Sequence, residues 1–276
     1  MRAKETEEAG ERERGFNLLG KGRGRAGNSI EISEEKGVRY LHFGSRWVQG
    51  AMRIARPWAL ELEYTRDMMM GLLLRPAPQW PRSVLLIGLG AASLTKFLYR
   101  HRPGAVLTVV EIDAGVVAAA AQYFKLPDDP RRLTIEIADG HDYVATTDRS
   151  FDLILVDGYD AKSRTGMLDT LPFYCNCQAR MREQGLLATN FLNRSRGVER
   201  SLDRLRAAFD HRAFLLPACP SGNIIGVAAT GEPVDFSLED LTAQARRLQR
   251  ETKLNLLPTV SRLTRACAGK VDRFEL

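Results

Sequence analysis

Five short apolar runs alternate with stretches of helical spacing, and this rhythm constrains the fold more than any other feature of the chain. Residues 84–88, 106–112, 133–138, 151–157 and 186–191 are rich in Val, Ile and Leu with few polar interruptions. Residues 93–101, 115–124, 172–181 and 198–209 carry the pattern of helices packed on one side. Strands apolar on both faces must be covered on both faces. The spacing therefore predicts an α/β fold with a parallel sheet between helix layers. Residues 213–216 and 224–229 are expected to close the sheet, and 238–253 to form a terminal amphipathic helix.

Ahead of this lie three partly alternating segments, 29–33, 38–43 and 47–53, separated by Glu34-Glu35-Lys36-Gly37 and Gly44-Ser45-Arg46. Those are turn signals, so a small antiparallel β-unit is expected over 29–56. Pro57 is expected to open a helix running to about Leu74 and stopped by Pro76 and Pro78, with Met68, Met69 and Met70 as core filler. Residues 1–28 are Glu/Arg-rich, then Gly/Arg-rich, and are expected to be a mobile tail. Gly15, Gly20 and Lys21 have the spacing of a phosphate loop, but Gly22 stands where Ser or Thr must meet magnesium. The expected division is tail 1–28, β-unit 29–56 and nucleoside-binding catalytic domain 57–276.

Composition removes several function classes. With 44% apolar and 27% charged residues the chain is not wholly disordered. Apolar runs such as 68–74 are far short of the roughly 18 residues that span a bilayer. No apolar leader follows Met1, so a cytoplasmic protein without a membrane partner is expected. Cys175, Cys177, Cys219 and Cys267 are too few for a disulfide scaffold, and Cys-x-Cys is not the usual zinc spacing, so no metal is expected. The net charge is +6, and from Leu241 onward eight Arg/Lys face three Asp/Glu. That surplus reads as a solvated basic helix, because no Lys/Arg run is interleaved with aromatics. A nucleic-acid partner is not expected.

In open α/β sheets, ligands bind at the carboxyl ends of the strands, and the polar residues of interest fall there. Gly88-Leu89-Gly90-Ala91-Ala92-Ser93 follows the first long strand and opens a helix, so backbone N–H groups and small side chains meet a ligand closely. Glu111, at the end of the second strand, can accept two ribose hydroxyls, or serve as a helix N-terminal charge. Asp139-Gly140 ends the third strand within reach of an adenine amino group. Together these describe an adenosine site that suits an S-adenosyl ligand at least as well as a dinucleotide. Asp157 and Asp160 leave the fourth strand three residues apart, a carboxylate pair suited to a cationic amine. Asp160 also reads as a turn or cap residue.

Val-Glu-Ile-Asp113, Asp139-Gly140, Phe151-Asp through Val-Asp-Gly-Tyr-Asp160, and Leu-Pro-Phe-Tyr174 resemble the spermidine synthases, the polyamine aminopropyltransferases. The likeness runs from about Val38 to Ala229. It implies a Rossmann-like sheet of the S-adenosylmethionine-dependent methyltransferase type behind the small N-terminal β-unit. It further implies transfer of an aminopropyl group from decarboxylated S-adenosylmethionine to an amine such as putrescine, with methylthioadenosine released. By resemblance Asp157 is the proton acceptor, and Asp160, with Tyr159 beside it, holds the amine. Gln49, Gly88, Gly90, Glu111, Asp139 and Gly140 hold the nucleoside. The resemblance also implies a homodimer.

Two departures stand out. The family's glycine-rich loop carries an Asp where Ala91 stands here, and an amine-lining Tyr-Pro-x-Gly segment reads Cys219-Pro-Ser-Gly222. Asp67 or Glu63, on the helix before the first long strand, is expected to supply the missing charge. Two other readings stay open: a methyltransferase using intact S-adenosylmethionine, which Ala91, Lys162 and Arg164 suit, and a nucleoside-binding module without catalysis. Of the four histidines only His141 is expected near the pocket.

Overall fold

A computed structural model describes residues 17–24, 29–44, 47–159, 165–192, 197–267 and 273–276. The chain enters through a four-stranded antiparallel sheet: β1 (Asn17–Arg23), β2 (Ser29–Glu35), β3 (Val38–Phe43) and β4 (Val48–Arg53), in that spatial order. Lys36 and Gly37 link β2 to β3 with φ of 49° and 75°. Positive φ at both positions gives the tight turn whose twist matches the flanking strands. Ile30, Ile32, Leu41 and Met52 are buried and join the same apolar core as Leu94 and Phe97.

The first strand corrects the expectation of a tail over 1–28. Asn17–Arg23 is Gly- and basic-rich, with no strand-like alternation, yet its backbone pairs along β2, Lys21 opposite Glu31 and Gly22 opposite Ile30. Pairing with the neighbouring strand decides the structure here, against local composition. Residues 1–16 and 25–28 lie outside the described residues.

The helix expected from Pro57 is shorter and broken: α1 (Glu63–Asp67), a 3₁₀ turn Met68–Met70 and α2 (Gly71–Leu74). Arg66 donates to the Leu60 and Glu61 carbonyls, which stabilises the non-helical lead-in. The three methionines are at most 1% exposed and fill core, as expected.

Then β5 (Ser83–Ile87), α3 (Ser93–His101), β6 (Val106–Glu111), α4 (Ala114–Tyr123), β7 (Leu133–Ile137) and α5 (Gly140–Thr146) alternate. They are followed by β8 (Phe151–Val156), a 3₁₀ turn Gly166–Asp169, α6 (Leu171–Ala179), β9 (Met181–Leu192) and α7 (Val198–Ala208). The chain closes with β10 (Ala213–Leu215), β11 (Asn223–Ala229), β12 (Asp235–Ser237), α8 (Leu238–Thr252), α9 (Leu257–Cys267) and β13 (Arg273–Glu275). Ser237 and Asp240 form a capping box at the start of α8.

The large sheet has seven strands in the order β10-β11-β9-β8-β5-β6-β7. The run from β9 to β7 is parallel, whereas β11 is antiparallel to β9 and β10 to β11. The expected parallel sheet is thus mixed at one side. Along β5, Val84 and Leu86 enter one core while Leu85 and Ile87 enter the other, as a period of two dictates when both faces are covered. Burial of each such side chain stabilises by about 2 kcal/mol. Strand order reverses between β5 and β8, which opens a crevice at their carboxyl ends.

Candidate active site

The loop after β5 builds the floor of the crevice. Gly88 has φ +95°, and a Cβ there would lie 2.3 Å from the Asp157 carbonyl oxygen, so only glycine fits where the two strands leave the sheet backbone to backbone. Gly90 follows at φ +51°. Ala92, also left-handed at φ 54°, precedes α3, whose N-terminus no side chain caps; those N–H groups are suited to a ligand. From above, β4 crosses the loop. The Gln49 carbonyl oxygen is 3.6 Å from the position of a Gly90 Cβ, and Gly50 packs directly on Ala91, which is 2% exposed. The slot where the resemblance would put an aspartate is closed by backbone.

Glu111 ends β6 at 8% exposure. One carboxylate oxygen accepts from the Leu89 N–H at 2.9 Å and the other from the Asp113 N–H at 3.0 Å. Burial pushes its pKa up, and the two amide donors work against that. Glu111 therefore straps the glycine loop to the end of β6. The N-cap of α4 is a different residue, Asp113, which accepts from Gly115 N–H at 2.8 Å. Asp139 is the N-cap of α5, accepting from His141 N–H at 2.9 Å. Gly140 begins that helix against Ile87, whose Cγ2 a Cβ would meet at 2.4 Å.

Asp157 leaves β8 at the crevice and accepts from two neutral donors: Tyr64 Oη at 3.2 Å and Asn190 Nδ2 at 2.9 Å. No Lys or Arg among the described residues pairs with it. Burial raises its pKa, while the amide and the phenol hold it down. A partly exposed carboxylate with no cation beside it among the described residues is prepared to take a proton or to meet a cationic guest. Tyr159 turns its hydroxyl to the Asn190 carbonyl at 2.6 Å, fixing the loop to β9. Downstream, Leu168 packs near Gly158 and Gly140. Asp169 holds that turn by accepting from Tyr174, Ser201 and Arg204 at 3.0, 2.7 and 2.9 Å.

Sequence reasoning missed Tyr64 and Asn190. Tyr64 lay in a stretch read as core helix and Asn190 in a strand read as apolar. A polar residue within an otherwise buried run was the available signal for Asn190. Asp67 is not brought to this cluster. It is 3% exposed, and its two oxygens accept from Thr259 and Arg262 of α9, so its charge is matched within the protein and is not free for an amine. Glu63 is partly buried at the start of α1 with no ion pair among the described residues. Asp160, Lys162, Ser163 and Arg164 lie outside the described residues. His141 pairs its ring with exposed Asp142 at 3.0 Å. No group of three His, Cys, Asp or Glu side chains among the described residues is placed to hold a metal ion, and no helix there is long and apolar enough to cross a membrane.

Comparison with known proteins places this geometry in context. The polyamine aminopropyltransferase of Chromobacterium violaceum is 35% identical over 237 residues, covering 85% of this chain and 88% of its own. That of Neisseria meningitidis serogroup A is 33% identical over 219 residues, covering 79% and 82%. Among solved structures, a probable spermidine synthase from Corynebacterium glutamicum superposes with a TM-score of 0.70 at 21% identity, covering 93% of this chain and 89% of that one. A spermidine synthase in complex with the transition-state analogue AdoDATO gives 0.65 at 22% identity, covering 88% and 82%. Residues 62–236 match the family model of the spermine/spermidine synthase domain, and the chain belongs to that family.

Proposed function

We propose that the chain transfers an aminopropyl group from decarboxylated S-adenosylmethionine to a small amine such as putrescine, releasing methylthioadenosine. The observation that carries this is Asp157: a half-buried carboxylate at the strand-reversal crevice, held among the described residues only by neutral donors. The named activity of the two bacterial relatives supports the same reading.

The glycine loop, Gln49 and Glu111 seat the nucleoside, with Glu111 accepting ribose hydroxyls on the lone pairs its backbone donors leave. Asp139 and Gly140 line the adenine end. At neutral pH an alkylamine is protonated, its pKa lying near 10. Asp157 takes one proton from the bound ammonium, with Asp160 and Tyr159 holding the amine. The freed nitrogen pair then attacks the methylene beside the sulfonium. The carbon–sulfur bond breaks, its electrons return to sulfur, and a neutral thioether departs. Alignment of nitrogen, carbon and sulfur supplies much of the rate.

Ala91 favours a second reading. Its side chain is sealed under Gly50, so the loop offers no acid to an aminopropyl ammonium, and intact S-adenosylmethionine in a methyl transfer needs none there. Calorimetry with both nucleosides separates the two. Tight binding of the decarboxylated form, with an aminopropylated product by mass spectrometry from a diamine panel, is the expected result. Binding of S-adenosylmethionine alone, with a methylated product, overturns the first reading. The proposal includes a homodimer in the cytoplasm, checked by light scattering and cell fractionation.

A further inference from the structure

A line of hydrogen bonds leads away from Asp157 into the turn before β11. Asn190 Nδ2 donates to Asp157 Oδ1 at 2.9 Å, Asn223 Nδ2 to Asn190 Oδ1 at 3.0 Å, and Ser221 Oγ to Asn223 Oδ1 at 2.9 Å. Cys219 Sγ lies 3.0 Å from Ser221 Oγ. The direction of this line is forced by chemistry. An ionised carboxylate only accepts, so Asn190 must turn its NH₂ to Asp157 and its carbonyl to Asn223. That sets Asn223 with its NH₂ toward Asn190 and its carbonyl toward Ser221, whose one hydroxyl hydrogen goes there. The Ser221 oxygen is left to accept from the Cys219 thiol.

The backbone explains why the groups meet. β9 and β11 run antiparallel with Asn190 opposite Ile225 and Asn223 opposite Leu192, so the two amides come from diagonal positions of neighbouring strands. The Cys219–Gly222 turn is closed by Gly222 N–H donating to the Cys219 carbonyl at 2.8 Å, with Pro220 second in the turn. Asn190 and Asn223 are 3% and 8% exposed, which leaves little room for water to replace either amide.

We infer that Asn223 is a positioning residue for the proposed reaction: by donating to Asn190 Oδ1 it adds to the preference the ionised carboxylate sets, and so favours the Asn190 orientation that donates to Asp157 while that group takes up and releases a proton. This rests on the reading of Asp157 as the proton acceptor. Released from Asn223, the Asn190 amide can rotate half a turn and present its carbonyl to the carboxylate, which favours protonated Asp157 and removes the base. The other titratable groups facing this point among the described residues are Tyr64 from α1, Tyr159 from the loop after β8 and Cys219 from the turn. Tyr159 bonds the Asn190 backbone carbonyl, so it fixes the strand and leaves the amide free to turn.

The test is Asn223→Leu in the full chain. The acid limb of the kcat/KM profile is expected to move up by about one pH unit, and turnover near neutrality to fall roughly tenfold. Nucleoside affinity by calorimetry stays within about twofold. The ¹³C titration of the Asp157 carboxyl, assigned with Asp157→Asn, moves up alongside. Should the leucine variant fail to fold, neutral Asn223→Ala carries the same test, since it removes the Nδ2 donor to Asn190 without adding a charge near Asp157. An unmoved Asp157 titration overturns the inference, as does an equal fall in turnover and nucleoside affinity. If the parent chain makes no aminopropylated product while the titration still shifts in the variant, the functional reading fails and the positioning role stands.

Discussion

Asp67 is buried and Asp157 half-buried at the crevice, and among the described residues only Asp67 has a guanidinium beside it. Asp67 bridges α1 to α9 through Thr259 and Arg262, and its side chain is 4% exposed against 16% for Arg262. Burial raises the pKa of both; at Asp67 Thr259 and the Arg262 guanidinium work against that, whereas at Asp157 only an amide and a phenol do. A buried acid with a cation is a fastener; a half-buried acid with only dipoles around it stays available to a third party. The difference lies in the partners as well as in the burial.

The comparison breaks if the two residues respond alike to removal. The largest effect is expected for Asp157→Asn, where turnover falls by about a thousandfold, within the range of lost general-base catalysis, while calorimetry gives an unchanged nucleoside affinity. The sign for stability is the opposite. A folded-state pKa above the unfolded one contributes stability below the unfolded pKa and loses it as pH rises through the folded pKa. Urea unfolding near neutrality should therefore find Asp157→Asn at least as stable as the parent. Asp67→Ala does the reverse: it leaves the half-buried Arg262 without a countercharge and lowers stability by about 3 kcal/mol, while turnover per folded molecule is retained. A drop in turnover with unchanged stability would erase the distinction.

Smaller changes sharpen it. Glu111→Gln turns a donor toward a backbone N–H and weakens a ribose contact, so nucleoside affinity should fall about thirtyfold, as for a lost charge-assisted hydrogen bond; equal affinity removes the ribose role. Tyr64→Phe deletes one neutral donor to Asp157, so turnover should fall about fivefold. The acid limb of its pH–rate profile should move upward, because the phenol holds the carboxylate pKa down. A profile identical to the parent's would mean that Tyr64 supports the helix and not the base.

The sheet was legible because continuous apolar strands buried on both faces leave a signature in few residues, as the split of Val84 and Leu86 from Leu85 and Ile87 shows. Asp157 was legible for a related reason: an acid closing such a strand is costly without a purpose. The misreading of Asp67 follows from distance along the chain, since its partner Arg262 lies 195 residues away and no local pattern records that meeting. β1 was hidden because its identity comes from β2 and not from its own glycines. Tyr64 and Asn190 were hidden because each looks like ordinary filling in its own element until both converge on one carboxylate.

Gly88 carries a consequence for how such a site can diverge. A methyl group there would collide with the Asp157 backbone, and Asp157 N–H in turn donates to the Ile87 carbonyl at 2.9 Å. The cradle for one reactant and the group that readies the other are thus welded at a seam of main chain. Substrate preference can drift through side chains of the Cys219 turn. Spacing between the two reactants cannot, because no side-chain replacement resets it.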